Sequence, residues 1–551
     1  MLVRVSGVRV AVVGGGISGL AAAWFLRQAL GPDAQIVVLE KQPVVGGHLR
    51  VSDVAGLPVD EGAESLLARR PEAVDLARAV GLGDDVVHPA AVGAGLWSRG
   101  SIVPLPAGTV MGVPADPARL AGVLTPTEVS AALALDAAAA GLPVDGDVAI
   151  GRLVRSRYGD AVADRLVEPL LGGVYAGRAD ELSLDATVPA LGAAVRTART
   201  LRDAVAATTA PPPAGTPADS STAGEPAASH TGPSAASAAE TSAGRRGTPR
   251  PAGRGLPPYG RVPTTAAQPG AAQTTMAQAG AAQAGAAQAG AATPVFAGLT
   301  GGVGRLPAAV AAASGAEVRT GVTVRAMERT ATGWRLVTGP VPAPSTLEVD
   351  AVVVATPAAA AARLLAPVVP AAAAELGAVE AASMAIVTLA LPADGFPLPP
   401  SSSGFLVPPV DGRTIKAVTY SSVKWPWLGG RSGDLVLLRA SLGRHGDAQD
   451  LQRDDGELVA AALADVRAAT GYAGGVADSR VTRWGGALPQ YAVGHLDRVA
   501  RVRAAVDAVP GLAVCGAVYD GVGVAACIGA AREAAGRVAA ALSEGRVRIE
   551  S

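Results

Sequence analysis

Residues 8–13, VRVAVV, are apolar except for Arg9 and read as a short, buried strand. Residues 17–30, ISGLAAAWFLRQAL, are mostly apolar and read as a helix that Gly31 ends. IVVL at 36–39 reads as a second buried strand. Strand, helix and strand joined by short turns make a β-α-β unit of a parallel sheet. Alanine and leucine then recur at helical spacing through 115–200. A helix is expected over 303–313, strand pieces over 316–329, 333–338 and 349–355, strands alternating with loops over 381–440, and a last helix over about 523–543.

Between these halves the pattern fails. Residues 205–292 run through TTAPPPAGTPADSSTAGEP to AAQAGAAQAGAAQAGAA, almost without large apolar side chains. Burial there cannot offset the entropy of ordering, so a disordered insertion is expected. The AAQAG repeat is too short for a solenoid unit.

A net charge of -1 gives no electrostatic case for nucleic acid or for an anionic membrane surface. An acidic substrate would therefore need a local arginine cluster, because lysine occurs only at Lys41, Lys416 and Lys424. Cys515 and Cys527 form no C-x-x-C pair and no zinc-spaced cluster, which makes a reducing cytosol the default and a metal site unexpected. The apolar N-terminus resembles a signal peptide, but Gly14, Gly15, Gly16 and Gly19 interrupt it. Residues 511–531 are apolar enough to suggest a membrane span, and Asp520 with the neighbouring glycines argues against one.

Those first glycines carry the chemistry. Gly14, Gly16 and Gly19 stand in G-x-G-x-x-G register after a strand and at the start of a helix. Gly14 allows the tight turn, Gly16 lets a diphosphate approach the backbone, and Gly19 lets helix and strand pack closely. The free N–H groups and positive end of the helix then face the anion. Glu40 ends the second strand, where its carboxylate can accept ribose hydroxyls.

The following segments resemble known flavoproteins. KQPVVGGHLR after Glu40, VDEGAESLLARR, DAVVVATP at 350–357, and Gly516 with Gly521-Val-Gly-Val524 stand in the order found in amine oxidases, phytoene desaturases and protoporphyrinogen oxidases. VEPLLGGVYAG (167–177), FAGLTGGVGRLPAAV (296–310), KWPW (424–427), TRWGGALPQYAVGHLDRV (482–499) and CGAVYDGVGVAACI (515–528) resemble the porphyrinogen oxidases, especially the Gram-positive coproporphyrinogen III oxidase type. Ser441 departs from that pattern, in which a tyrosine often stands.

The resemblance implies an α/β fold: a Rossmann-type FAD-binding domain of the glutathione-reductase-like, amine-oxidase-like kind with an inserted α+β substrate domain. It divides the chain into a discontinuous FAD domain (1–75, 293–362, 500–551) and a substrate domain (76–204, 363–499). It implies FAD contacts from Gly14, Gly15, Gly16, Ile17, Ser18 and Gly19, from Glu40, Lys41, Gly47 and His48, and from Gly62, Ala63, Glu64 and Ser65. Val324, Trp484, Gly516, Val522, Gly523 and Val524 complete the set. The implied activity is cytoplasmic, six-electron oxidation of coproporphyrinogen III in haem biosynthesis. Hydride passes to the flavin, O2 is the acceptor and H2O2 is released, with no catalytic side chain and no partner beyond transient contact with neighbouring haem-pathway enzymes. Arg70 is the first candidate for a substrate carboxylate, followed by Arg69, Arg178, Arg439 and Arg444. His88, His445 and His495 are expected to be structural. Protoporphyrinogen IX oxidation, another flavin amine oxidase or desaturase, and a flavin-binding scaffold without turnover are the alternatives.

Overall fold

The computed structural model describes residues 7–209 and 294–550. Residues 210–292 of the expected insertion lie outside them. Residues 205–209 belong instead to the helix Leu201–Thr209, whose buried Leu201, Ala204 and Val205 join a helical core.

Among the described residues, the first unit of structure is a five-stranded parallel sheet in the order Glu317–Arg319, Gln35–Leu39, Arg9–Val13, Ala351–Val354, Leu512–Val514. Strands that are apolar on both faces need cover on both sides. On one side lie the helices Ile17–Leu30, Leu306–Ser314 and Val524–Glu550; on the other lie an antiparallel meander (Val324–Arg329, Trp334–Thr338, Ser345–Val349) and the helix His495–Asp507. The single expected strand 316–329 is thus two: Glu317–Arg319 joins the parallel sheet and Val324–Arg329 starts the meander. The helix expected at 303–313 begins as a tight 3-10 turn, Val303–Arg305, and runs as an α-helix over Leu306–Ser314. Buried Asp60 fastens this entry by accepting the N–H groups of Val303 (3.0 Å) and Gly304 (2.8 Å). The apolar stretch 511–531 resolves into the strand Leu512–Val514, the short helix Ala517–Asp520 and the start of the last helix. No helix among the described residues is long and apolar enough to cross a membrane.

The second sheet has seven strands in the order Asp478–Pro489, Ala381–Pro392, Leu435–Leu442, Ile415–Tyr420, Gly404–Leu406, Gly95–Ser98, Ser101–Pro104. It is antiparallel except where Gly404–Leu406 runs beside Gly95–Ser98. Ala385, Val387, Leu389, Val418, Leu438 and Ala440 fill one face and pack with Leu458, Ala462 and Val466 of the helix Asp455–Thr470. The other face carries Trp484, Met384, Ser441, Ala417 and Leu406, paired strand to strand and only partly covered. The helices of 126–209, most of them within the 115–200 stretch where alanine and leucine spacing expects them, form a third core around Ile150, Leu166, Leu171 and Tyr491.

Candidate functional site

The strand Arg9–Val13 and the helix from Ile17 are separated only by Gly14, Gly15 and Gly16. Three nearby glycines are demanded by the protein's own packing. Gly14 has a φ of +113°, and a Cβ there would lie 2.5 Å from the Ala355 carbonyl oxygen. A Cβ on Gly15 would lie 2.8 Å from Glu40 Cβ, and one on Gly19 only 1.9 Å from the Gly14 carbonyl oxygen. Gly16 is different. It precedes the helix in extended conformation without a side-chain cap, and the nearest atom to a Cβ there is Gly47 Cα at 4.0 Å. The protein leaves open space over the first turn of this helix, where unpaired N–H groups and the positive helix end favour an anion. Beside the turn, Thr356 buries a hydroxyl with no hydrogen-bond partner; its Cγ2 is 3.5 Å from the same hypothetical Gly14 Cβ. An open glycine, a helix N-terminus and an orphaned hydroxyl fit the diphosphate of a dinucleotide.

Other expected segments converge here. Gly46 N–H donates to the Gly15 carbonyl at 2.8 Å, which sets the second glycine turn, with exposed Gly47 and His48, against the first. Glu40 is buried; its Oε2 accepts Gly15 N–H at 2.6 Å and its Oε1 accepts Gln42 N–H at 2.7 Å. Each oxygen keeps a further lone pair for a ribose hydroxyl, while Lys41 is exposed. Val322 N–H donates to the Glu40 carbonyl at 2.8 Å and brings half-buried Val324 to this edge. A Cβ on Gly516 would lie 4.0 Å from the Thr356 carbonyl oxygen, so Gly516 reaches the same turn, whereas Val522 packs against the helical core and Val524, after Gly523, opens the last helix. Ile17 and Ser18 are buried in the first helix turn.

From the cradle the site extends to the seven-stranded sheet. Trp484 donates its indole N–H to the Glu61 carbonyl at 2.9 Å, lies edge-on to His48 with ring centres 5.1 Å apart, and carries the Arg50 guanidinium 5.0 Å above it. Gly62 is wedged between them: a Cβ would lie 2.0 Å from the His48 carbonyl oxygen and 3.5 Å from Trp484. Ala63 is exposed. Glu64 pairs with Lys424 at 2.6 Å and with Arg439 at 2.9 Å, and accepts the Ser421 hydroxyl at 3.0 Å. Burial opposes its ionisation, but the two cations outweigh it and draw its pKa down to about 2. Lys424 also donates to Ser65 Oγ at 2.8 Å, and Arg439 to the Gly62 carbonyl. Sequence reasoning placed Glu64 and Ser65 here but missed this lock. Its signal was that one of only three lysines stands in the KWPW string.

Arg439, a candidate for substrate, is therefore committed to Glu64. Arg70 is bound by Glu72, its Nε 3.0 and 3.1 Å from the two carboxylate oxygens, and its Nη2 lies near Gly529 of the last helix. Arg69 and Arg178 are exposed, Arg178 donating to the His445 carbonyl at 3.2 Å. Of the histidines, His495 stacks on Tyr491 at 4.2 Å with its Nε2 2.9 Å from the Val518 carbonyl, and burial lowers its pKa to about 4. His88 contacts the Phe296 carbonyl at 2.9 Å, and His445 lies between Glu181 and Glu380. A cavity of about 840 Å³ lined by Leu142, Leu153, Arg157 and Val493 includes none of the cradle residues.

Residues 17–539 match the family model for flavin-containing amine oxidoreductases. Several proteins named coproporphyrinogen III oxidase match nearly end to end. The one from Mycobacterium tuberculosis is 35% identical, covering 96% of this chain and 97% of its own length. That from Bacillus subtilis is 26% identical, covering 94% and 95%. Among solved structures, a candidate protoporphyrinogen oxidase from Exiguobacterium sp. 255-15 superposes with a TM-score of 0.73 at 26% identity, covering 97% of this chain and 99% of the other. Cyclohexylamine oxidase from Brevibacterium oxydans shares the fold, with a TM-score of 0.61 at 16% identity over 97% and 99% of the two chains.

Proposed function

The chain belongs to the flavin-containing amine oxidoreductases and, among them, to the porphyrinogen oxidases; from that premise we propose that it oxidises coproporphyrinogen III to coproporphyrin III. It is an FAD-dependent oxidoreductase. The proposed reaction removes six electrons and six hydrogens from the macrocycle and delivers them to three O2, giving three H2O2. The observation that carries the substrate choice is the end-to-end likeness to proteins bearing that enzyme name.

FAD, when bound, supplies the electron sink, taking electrons from the substrate in pairs. The residues do the rest. Gly14 to Gly19 present the helix N-terminus to the diphosphate, with the Thr356 hydroxyl as a further donor. Glu40, fixed by two backbone N–H groups, orients the ribose. Trp484, His48 and Gly62 to Ser65 would hold the other end of the cofactor. Glu64, held as an anion by Lys424 and Arg439, fixes the polarity there and moves no proton near neutral pH. The partly covered sheet face offers an apolar floor to the macrocycle, with Arg70, shared with Glu72, as a carboxylate partner.

We read the chain as the FAD and substrate domains divided above, and the distribution of the strands supports that reading. Every strand of the parallel sheet falls within 1–75, 293–362 or 500–551, and every strand of the seven-stranded sheet within 76–204 or 363–499. A substrate with four carboxylates suits an aqueous compartment, and we place the reaction in the cytoplasm. The test supplies coproporphyrinogen III and protoporphyrinogen IX separately, at matched concentrations, to the FAD-loaded protein. Porphyrin fluorescence, O2 uptake and H2O2 are followed. Faster oxidation of coproporphyrinogen III with stoichiometric peroxide is expected. Faster oxidation of protoporphyrinogen IX overturns the substrate, and oxidation of neither overturns the activity.

A further inference from the structure

One buried cation plays no part in the site so far. Lys416 stands where the strand Ile415–Tyr420 breaks register with Leu435–Leu442, between Ile415 and Ala417, so it is the extra residue of a β-bulge. Bulges re-aim side chains and gather near functional sites. Lys416 is 3% exposed, and its ammonium has no hydrogen-bond partner among the described residues. Burial and the neighbouring Arg444 together push its pKa down to about 7. Arg444 is half-buried, makes one long hydrogen bond, 3.4 Å to the Val407 carbonyl, and is itself pulled down by burial. Glu168, Asp447 and Arg178 are the other charged groups that face Arg444. Neither Lys416 nor Arg444 has a carboxylate at ion-pair distance among the described residues.

The pair lies at the rim of the sheet floor. Lys416 adjoins floor residue Ala417, and its carbonyl accepts Val407 N–H at 2.9 Å, next to floor residue Leu406. The helix Glu168–Tyr175 packs across both strands, with Gly173 against Leu406. An unpaired buried ammonium beside a guanidinium is costly unless an anion joins them. This position departs from the rule that buried charges are paired, and a buried group so perturbed is a candidate for a functional site.

We propose that Lys416 and Arg444 together take one carboxylate of the substrate at the rim of the sheet floor. The proposal rests on the porphyrinogen reading. Lysine supplies a compact charge on a flexible stem and arginine a planar fork, so the arriving carboxylate gains two charge-assisted contacts and ends the repulsion between the cations.

The test uses the full FAD-loaded chain, wild type and Lys416→Met. Coproporphyrin III and its tetramethyl ester are titrated while flavin and porphyrin fluorescence are followed. KM and kcat for coproporphyrinogen III, and thermal unfolding without ligand, are measured alongside. The variant is expected to lose about tenfold or more in affinity for the acid and less than about twofold for the ester. KM should rise in step while kcat and FAD content hold, and the ligand-free variant should melt higher because an unpaired buried charge is gone. Equal affinity loss for acid and ester, no loss at all, or a lower melting temperature overturns the proposal. If Lys416→Met does not retain FAD, Arg444→Gln carries the same comparison with the ammonium in place. A wild type that oxidises no porphyrinogen sinks the proposed function, while the acid-against-ester comparison still decides the carboxylate site.

Discussion

Single atoms decide what each glycine of the cradle is for. A methyl group on Gly19 would collide with a carbonyl 1.9 Å away, whereas one on Gly16 would meet nothing of the protein closer than 4.0 Å. Gly19→Ala should therefore lose the fold itself, seen as low soluble yield and a collapsed thermal transition. Gly16→Ala should fold with near-native circular dichroism but emerge with most of its flavin missing. A yellow, stoichiometric Gly16→Ala protein would mean that the diphosphate does not approach this turn. Lys416 gives a pH signature. Its folded pKa of about 7 lies below the usual 10.5, so between those values the unfolded chain binds a proton that the folded chain does not. Stability from this group must then rise as pH climbs through that window. Lys416→Met removes that rise, so its melting advantage over wild type should be largest near pH 6 and shrink by pH 9. An advantage independent of pH would show that Lys416 does not titrate in this window.

Elements are tied together by Glu64. Its carboxylate joins the loop after Leu57–Asp60 to Lys424, which ends the short helix Ser421–Lys424, and to Arg439 in the centre of the strand Leu435–Leu442. All three side chains are at most 12% exposed. Removing the anion strands two buried cations, so Glu64→Gln should destabilise by about 3–5 kcal/mol, read from urea unfolding of the FAD-loaded protein. The sign of its pH dependence follows from a folded pKa near 2 against an ordinary 4.5. Stability from Glu64 is complete above 4.5 and is lost as pH falls toward 2. The gap between wild type and Glu64→Gln should close over that acid range. A gap that persists at pH 2 would mean that the carboxylate is not the anion holding the cluster.

For the whole molecule, every strand of both sheets and the cradle lie outside 210–292. From its composition, a segment so poor in large apolar side chains is expected to contribute little to a core, and lengthening a connection costs little closure entropy. Replacing residues 210–292 with a flexible linker after Thr209 should leave FAD content, melting temperature and turnover within about twofold of wild type. Loss of flavin in that deletion would assign the segment a structural duty. Starting the deletion at 205 should do worse, because it removes buried Val205 and truncates the helix Leu201–Thr209.

The cradle was legible in the amino-acid order because it is local. A strand, three glycines, a helix and an acid form one β-α-β unit whose spacing obeys hard-sphere limits on the backbone, and the helix Ile17–Leu30 with Gly31 after it stands where its pattern put it. The seven-stranded sheet was only partly legible. Its strand Asp478–Pro489 reads DSRVTRWGGALP, with exposed arginines and a glycine pair, and acquires its register only by pairing with Ala381–Pro392. Strand propensity depends on the neighbour that a strand meets. Electrostatic partners were not legible at all. Glu64 and Arg439 are separated by 375 positions yet share an ion pair, and Lys416 and Arg444 became neighbours through a bulge and a strand end. Sequence alone thus determined the chemistry that a backbone can offer within one turn of chain. Which charges would be paired, and which left waiting for an anion, was decided only by tertiary structure, because charge interaction depends on distance and burial, and both are properties of the packed molecule.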